Sequence, residues 1–213
     1  MPVPIGTIFT LWSYRKELKI VISAFLLILL LPVMAVIILT QTGINIVSDK
    51  LVSIDSITNE VEIKDPTTGK VIATISYPMV WPVKGVISLE FARPHLPYQL
   101  FHTGIDIANA EGKIGDEITP FMEGTVTYAG QTAIGYGKHI IIDHGNNVTS
   151  LYGHLDKVLV YKGQKVTIND VIGKMGSTGW STGPHLHFQI NVFGIPVNPR
   201  TFLDKKEIIQ PIN

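Results

Sequence analysis

The sequence predicts an all-β domain of antiparallel strands, preceded by one transmembrane helix. Three observations carry this. Residues 20–39 contain no charged side chain, the chain from Trp81 onward breaks into short apolar runs separated by Gly, Pro and Asn, and no helical period of adequate length recurs in that second part.

The apolar stretch from Ile20 to Leu39 reads IVISAFLLILLLPVMAVIIL. Twenty helical residues at about 1.5 Å each span roughly the 30 Å hydrocarbon core of a bilayer. Pro32 need not interrupt such a span. Arg15, Lys16 and Lys19 precede the run, whereas Thr40 to Val47 carry no charge. The positive-inside rule therefore expects residues 1–19 as a cytoplasmic tail, 20–39 as an uncleaved signal-anchor and the bulk of the chain outside the cytoplasm. A cleaved signal peptide is the competing reading, with Val33 and Ala35 as the small residues before the cut. Against it, the apolar run continues through Val36 to Leu39, longer than a signal's apolar region. Both readings export the domain.

Residues 40–80 are expected to connect the helix to that domain. Within them VEIKDPTTGKVIATI alternates apolar and polar residues on either side of Asp65-Pro66-Thr67-Thr68-Gly69, the pattern of a β-hairpin. The domain itself is expected over 81–205, ahead of a tail at 206–213. Its strands are read from GIDIA, EITPFMEGTVTYAG, KHIIIDH, NVTSLYGHL, KVLVYKGQKVT and VIGKMG.

Composition narrows the chemistry. Seventeen basic residues balance seventeen acidic ones, which leaves no global field to gather phosphates and argues against nucleic acid as a partner. Cysteine is absent, so thiolate zinc sites and cysteine nucleophiles are excluded, and any metal must be held by nitrogen and oxygen.

Two short patterns suit such a metal. In GPHLHFQ, His185 and His187 lie one residue apart in a strand-like run, so both point to one face while Leu186 and Phe188 point to the other. In HTGID, His102 and Asp106 are four apart and share a face if the segment is extended, with Gly104 between them admitting a backbone or a substrate. Each pattern arises by chance roughly 0.2 to 0.3 times in a chain of this composition, so the combination is the signal. Catalytic zinc usually keeps three protein ligands and leaves a fourth position for water, which two histidines and one aspartate satisfy. Strand geometry does not decide which of His185 and His187 would be the ligand.

No H-E-x-x-H helix is present, so no glutamate base of that kind exists and proton handling falls to histidines not used as ligands. His154 in SLYGHL is the candidate, on a strand with Tyr152 expected on the same face. His139 and His144 flank a strand and are read as structural or surface residues, and His95, between prolines, as a loop residue. Trp180, in the turn GSTGWSTG, either lines a groove or plugs the space beneath the loop.

Taken together, FHTGIDIA, HGNNVTSLYGHL, KGQKVTINDVIGKMGSTGWSTGPHLHF and VNP resemble, in order, the lysostaphin-type (LytM-type) zinc endopeptidases of bacterial cell walls, over about residues 81–203. The resemblance implies an antiparallel sheet groove of the duplicated hybrid motif kind, one Zn²⁺ per chain and hydrolysis of peptide bonds in peptidoglycan. It assigns His102, Asp106 and His187 to the metal, and His154 and His185 to proton handling and transition-state stabilisation. It also makes a peptidoglycan peptide the partner and places the domain on the cell-wall side of the membrane. Two departures stand out. Gln189 occupies a position where the family often has Glu, and FARP, with Ala92 and Arg93, stands where it often has F-G-x-R. Gln189 can hydrogen-bond but brings no negative charge to the ligands. The alternative on the same fold is a non-catalytic cell-wall binding or hydrolase-activating module; that reading expects lost ligands, and here all three stand.

Overall fold

The computed structural model describes residues 5–203 except 77, 96–98 and 110, with side chains from residue 16 onward. The tail expected at 206–213, and residues 204 and 205 of the expected domain, lie outside the described residues. The chain divides into two units, Met1–Thr40 and Gln41–Asn213.

Helix α1 runs Ile5–Leu51, with Pro32 inside it, and so outruns the apolar stretch at both ends. By length and composition it can cross a membrane. Phe25, Leu27, Ile28, Leu30 and Leu39 are all exposed, so the apolar surface continues around the helix with no protein cover. A helix of that kind is accommodated by lipid.

The last turns of α1 belong to the second unit. Ile44 packs on its core and Ser48 and Leu51 are buried there. Strands β1 (Val52–Ile54), β2 (Val61–Lys64) and β3 (Val71–Ile75) follow as a three-stranded antiparallel sheet. The connecting turns share one design. Asp55 Oδ1 accepts from the N–H groups of Ile57 and Thr58, Asp65 Oδ1 from those of Thr67 and Thr68. Asn59 and Gly69 then take the left-handed conformation that closes each turn.

The remaining strands are β4 (Val86–Leu89), β5 (Ile105–Ala108), β6 (Glu117–Ile118), β7 (Gly124–Gln131), β8 (Lys138–Asp143), β9 (Val148–Gly153), β10 (Lys157–Val158), β11 (Lys165–Val166), β12 (Gly173–Lys174), β13 (Leu186–Val192) and β14 (Ile195–Val197). They form a large sheet in the order β11-β7-β8-β9-β13-β5-β4, with β14 added to β13, and a small one in the order β10-β12-β6. Every pairing is antiparallel. Beyond Trp81 the helical structure among the described residues is one 3-10 turn, Pro199–Thr201.

Strand β13 shows why the sheet can carry a site. Leu186, Phe188, Ile190 and Val192 point into the core, where Phe188 meets Phe121 and Tyr152. His187, Gln189 and Asn191 alternate with them and line the other face. Leu51, Val52, Val61, Ile63 and Ile75 join the same continuous core, so the segment before Trp81 is part of the domain's packing.

Candidate metal centre

Asp106 on β5 and His187 on β13 are direct partners in the strand register, which turns both side chains to one face. Asp106 Oδ1 lies 2.9 Å from His187 Nδ1. His102 enters from the bend before β5, not from the strand itself. Its Nε2 is 3.0 Å from Asp106 Oδ1 and 2.9 Å from His187 Nδ1. Gly104 makes the approach possible, because a Cβ there would collide with the carbonyl of Phe188. The space left by the glycine is thus filled by the β13 backbone.

The outward nitrogens decide the tautomers. His102 Nδ1 faces the carbonyl oxygen of Glu90 at 3.2 Å, and His187 Nε2 faces Gln189 Oε1 at 3.4 Å. Oxygen acceptors call for N–H at those positions, and in a neutral ring that leaves His102 Nε2 and His187 Nδ1 as lone pairs. In the neutral rings, two lone pairs and a carboxylate oxygen then converge within 3.0 Å of one another. Such a set repels itself unless a cation or a proton enters.

The surroundings favour the cation. His102, Asp106 and His187 are all buried. Burial pushes the Asp106 carboxyl up, but N–H groups and positive charge turned toward it when the His102 and His187 rings are protonated outweigh burial and hold the group well below the usual carboxylate range. Burial also pushes His187 down, against the pull of Asp106, so its ring resists taking the relieving proton. Donors at about 2.0–2.2 Å from one tetrahedral zinc lie about 3.3 Å apart, so this triangle needs only to open slightly. The three residues fit a zinc ion, and among the described residues no other trio of His, Asp or Glu converges in this way.

His154 and His185 stand beside the triangle. Their rings are 4.7 Å apart, and His185 Nε2 is 3.6 Å from Asp106 Oδ2. Each commits its Nδ1 to a backbone carbonyl, His154 to Thr178 at 2.7 Å and His185 to Gly183 at 2.8 Å. Nε2 of each ring is therefore the atom left to handle a proton at the site. Burial, reinforced by His185 and His187, lowers His154 to about 4.

The expectation that Tyr152 shares a face with His154 is corrected. Tyr152 is fully buried on the core side, bonded to Phe121 N–H and Ser150. His154, after the end of β9, has φ 61°, and this left-handed residue breaks the alternation and brings the imidazole to the metal-site face. A sequence pattern cannot announce that reversal. His185 likewise sits just outside β13, in an isolated bridge to Gly176.

Thr103, Tyr136 and Thr178, which no sequence pattern singled out, complete the surroundings with residues that were named. Gln189 Oε1 receives the Thr103 hydroxyl at 2.6 Å and the Tyr136 hydroxyl at 3.1 Å as well as facing His187, and its amide N–H donates to Asn191 Oδ1. Tyr136, between two glycines, tilts its ring 5.2 Å from that of His187. Thr178 supports His154 through its carbonyl while its hydroxyl bonds Leu155 O and accepts from Lys138 N–H. A narrow cleft over the site is walled by Gln99, Tyr136, Trp180 and His95. Trp180 is 40% exposed there, so it lines the groove. His95, expected only as a loop residue, meets His102 edge-on at 5.2 Å. In FARP, Ala92 is buried at φ 61°, a conformation natural to glycine and strained for alanine. His139 stacks on Tyr128 and His144 bonds Ser150, both apart from the triangle.

Residues 100–199, which hold all of the triangle, match peptidase family M23. The chain contains an M23 domain. Over 98 residues, 46% of its length, it is 43% identical to the DD-carboxypeptidase/endopeptidase Mpg of Neisseria meningitidis serogroup B, of which it covers 22%. Over 126 residues, 59% of its length, it is 37% identical to the murein hydrolase activator NlpD of Escherichia coli K12, of which it covers 31%. The chain thus spans less than half the length of these relatives. Among solved structures, a zinc containing peptidase from Vibrio cholerae aligns with a TM-score of 0.53 at 28% identity, over 65% of this chain and 45% of that one. The M23 domain therefore occurs in relatives named as peptidases and in one named as an activator.

Proposed function

We propose that this chain is a membrane-anchored zinc metalloendopeptidase, with residues 81–205 as its catalytic domain, that hydrolyses peptide bonds in peptidoglycan cross-links. The observation that carries the proposal is the buried triangle of His102 Nε2, Asp106 Oδ1 and His187 Nδ1, three ligand atoms within 3.0 Å of one another. Zinc bound there supplies the Lewis acidity that makes water nucleophilic near neutral pH. This chain's own residues do the rest. His154, lowered to about 4, presents an unprotonated Nε2 throughout the neutral range and takes the proton released by the nucleophile. His185, next to Asp106 Oδ2, donates from Nε2 toward the oxyanion as it forms when its ring carries the second proton. Tyr136 and Trp180 wall the cleft and hold the peptide chain extended across it.

Residues 1–19 lie in the cytoplasm and the M23 domain outside, as the charge of Arg15, Lys16 and Lys19 directs. A second reading, a module that activates other hydrolases, is favoured by the likeness to NlpD. Both are tested with the full chain, since a fragment beginning at Trp81 would lose Leu51, Val52, Val61, Ile63 and Ile75 from the core. The measurement is elemental mass spectrometry for zinc, paired with release of soluble fragments from purified peptidoglycan. One zinc per chain with direct release supports the peptidase. Release only when a second hydrolase is added overturns it in favour of the activator, and a chain that takes up no zinc overturns the metal reading.

A further inference from the structure

The ring of His102 is steered from a distant part of the chain. Its backbone is fixed locally, since Ala92 N–H donates to His102 O at 2.8 Å and His102 N–H to Arg93 O at 2.7 Å. On its outward side the ring meets the carbonyl of Glu90, Nδ1–H to O at 3.2 Å. The same Glu90 is clamped through its carboxylate, which receives Arg200 Nε at 3.0 Å and Nη2 at 2.6 Å. Arg200 lies in the 3-10 turn Pro199–Thr201, where its own N–H donates to the capping Asn198 Oδ1 at 3.1 Å. Asn198 N–H in turn donates to Ser48 Oγ at 2.9 Å, and Ser48, near the end of α1, is 1% exposed. The contacts Ser48–Asn198–Arg200–Glu90–His102 are unbroken.

We propose that Arg200 is a positioning residue for His102, acting through Glu90, and that Ser48 at the end of α1 holds the turn that presents Arg200. The inference rests on the reading of His102 as a metal ligand. The ion pair is partly exposed, at 25% for Arg200 and 42% for Glu90, so its contribution to stability is small. What a two-pronged guanidinium–carboxylate contact supplies instead is direction. It fixes the plane of Glu90, hence the line along which the Glu90 carbonyl meets the imidazole. Loss of an outer partner of a metal-binding histidine typically costs 10- to 100-fold in affinity. Because this partner acts through one intervening residue, about tenfold is expected.

The test uses the full chain and two readouts. Imidazole ¹⁵N signals of His102 report its tautomer without metal, and competition with a chelator of known affinity reports zinc binding. Arg200→Met is expected to convert His102 from Nδ1–H to a mixture of tautomers and to weaken zinc about tenfold, with Arg200→Lys recovering part of both and Ser48→Ala losing about threefold. Glu90→Gln keeps the carbonyl and removes the charge pair; it is expected to behave as Arg200→Met and decides the matter if that variant does not fold. Parent-like tautomer and affinity in these variants, with only a lowered melting temperature, would mean a merely structural pair and overturn the proposal. If the parent chain binds no zinc, the metal reading fails by itself, while the tautomer comparison still decides whether Arg200 orients His102.

Discussion

On one face of the large sheet, His144 closes a chain of hydrogen bonds, with Nδ1 against the Glu123 carbonyl at 2.8 Å and Nε2 against the Ser150 hydroxyl at 2.7 Å. On the other, His102 and His187 aim two bare nitrogens at Asp106. Both clusters are built around imidazoles carried by one sheet. In the first, the Ser150 and Tyr152 hydroxyls share a hydrogen bond, Tyr152 accepts from Phe121 N–H, and one ordering of protons satisfies every group. In the second, neutral rings with their protons on the outward nitrogens leave none to bridge His102, Asp106 and His187. A buried polar network that closes on itself is packing; one that converges on unshared lone pairs is a site.

The sharpest way to break this comparison is to delete one histidine from each cluster. His187→Ala is expected to abolish zinc uptake and peptidoglycan release together, whereas His144→Gln leaves both within about twofold of the parent, since surface and structural substitutions away from a site rarely reach further. Zinc retained by His187→Ala would dissolve the distinction. Next in size is His154→Ala, for which metal content stays at the parent level while the release rate drops by about a hundredfold to ten-thousandfold. An active, zinc-loaded variant would remove His154 from proton handling.

Asp106→Asn keeps the shape of the triangle and removes its charge. Zinc affinity is expected to fall by about a hundredfold or more in chelator competition. Gln189→Leu strips His187 of its outward acceptor, and a loss of about tenfold is expected, with Gln189→Glu at or above parent affinity. Equal affinity in all three chains would mean that the hub serves packing alone.

The smallest effect distinguishes the clusters by pH. Burial lowers His144 to about 4 from an ordinary 6.5, against the opposing pull of the Glu123 carbonyl. The unfolded chain therefore takes up a proton near 6.5 that the folded chain refuses until about 4. Stability rises with pH across that window and is lost as pH falls through it, levelling off below the folded value. Denaturant midpoints of His144→Gln should show a shallower slope than the parent, by at most one proton; an unchanged slope would place the titration elsewhere.

The local patterns were readable in advance because their periods are local. Gly104-Ile105-Asp106-Ile107-Ala108 alternates as a strand must, and β5 runs Ile105–Ala108. Leu186 to Val192 alternates likewise and carries Leu186, Phe188 and Ile190 inward as β13. The hairpin around Asp65 follows from turn chemistry that four residues suffice to specify. Tyr136, Thr103 and Arg200 were silent for the opposite reason, since their partners lie 53, 86 and 110 residues away along the chain. No window of sequence contains both ends of such a contact.

By itself, then, the sequence determined that an apolar helix precedes an antiparallel β domain, that no thiolate takes part, and that histidines and an aspartate lie at spacings that suit a metal. These follow from composition and from the periods of 3.6 and 2 that backbone geometry imposes. The family resemblance picked His187 over His185 for the metal, and strand register gives the physical reason, since it sets His187 directly opposite Asp106. Tertiary structure alone set His154 on the metal-site face, through one left-handed residue that reverses the alternation. And it alone tied His102 to the end of α1, because side chains far apart in sequence share an environment only once the sheet has closed over its core.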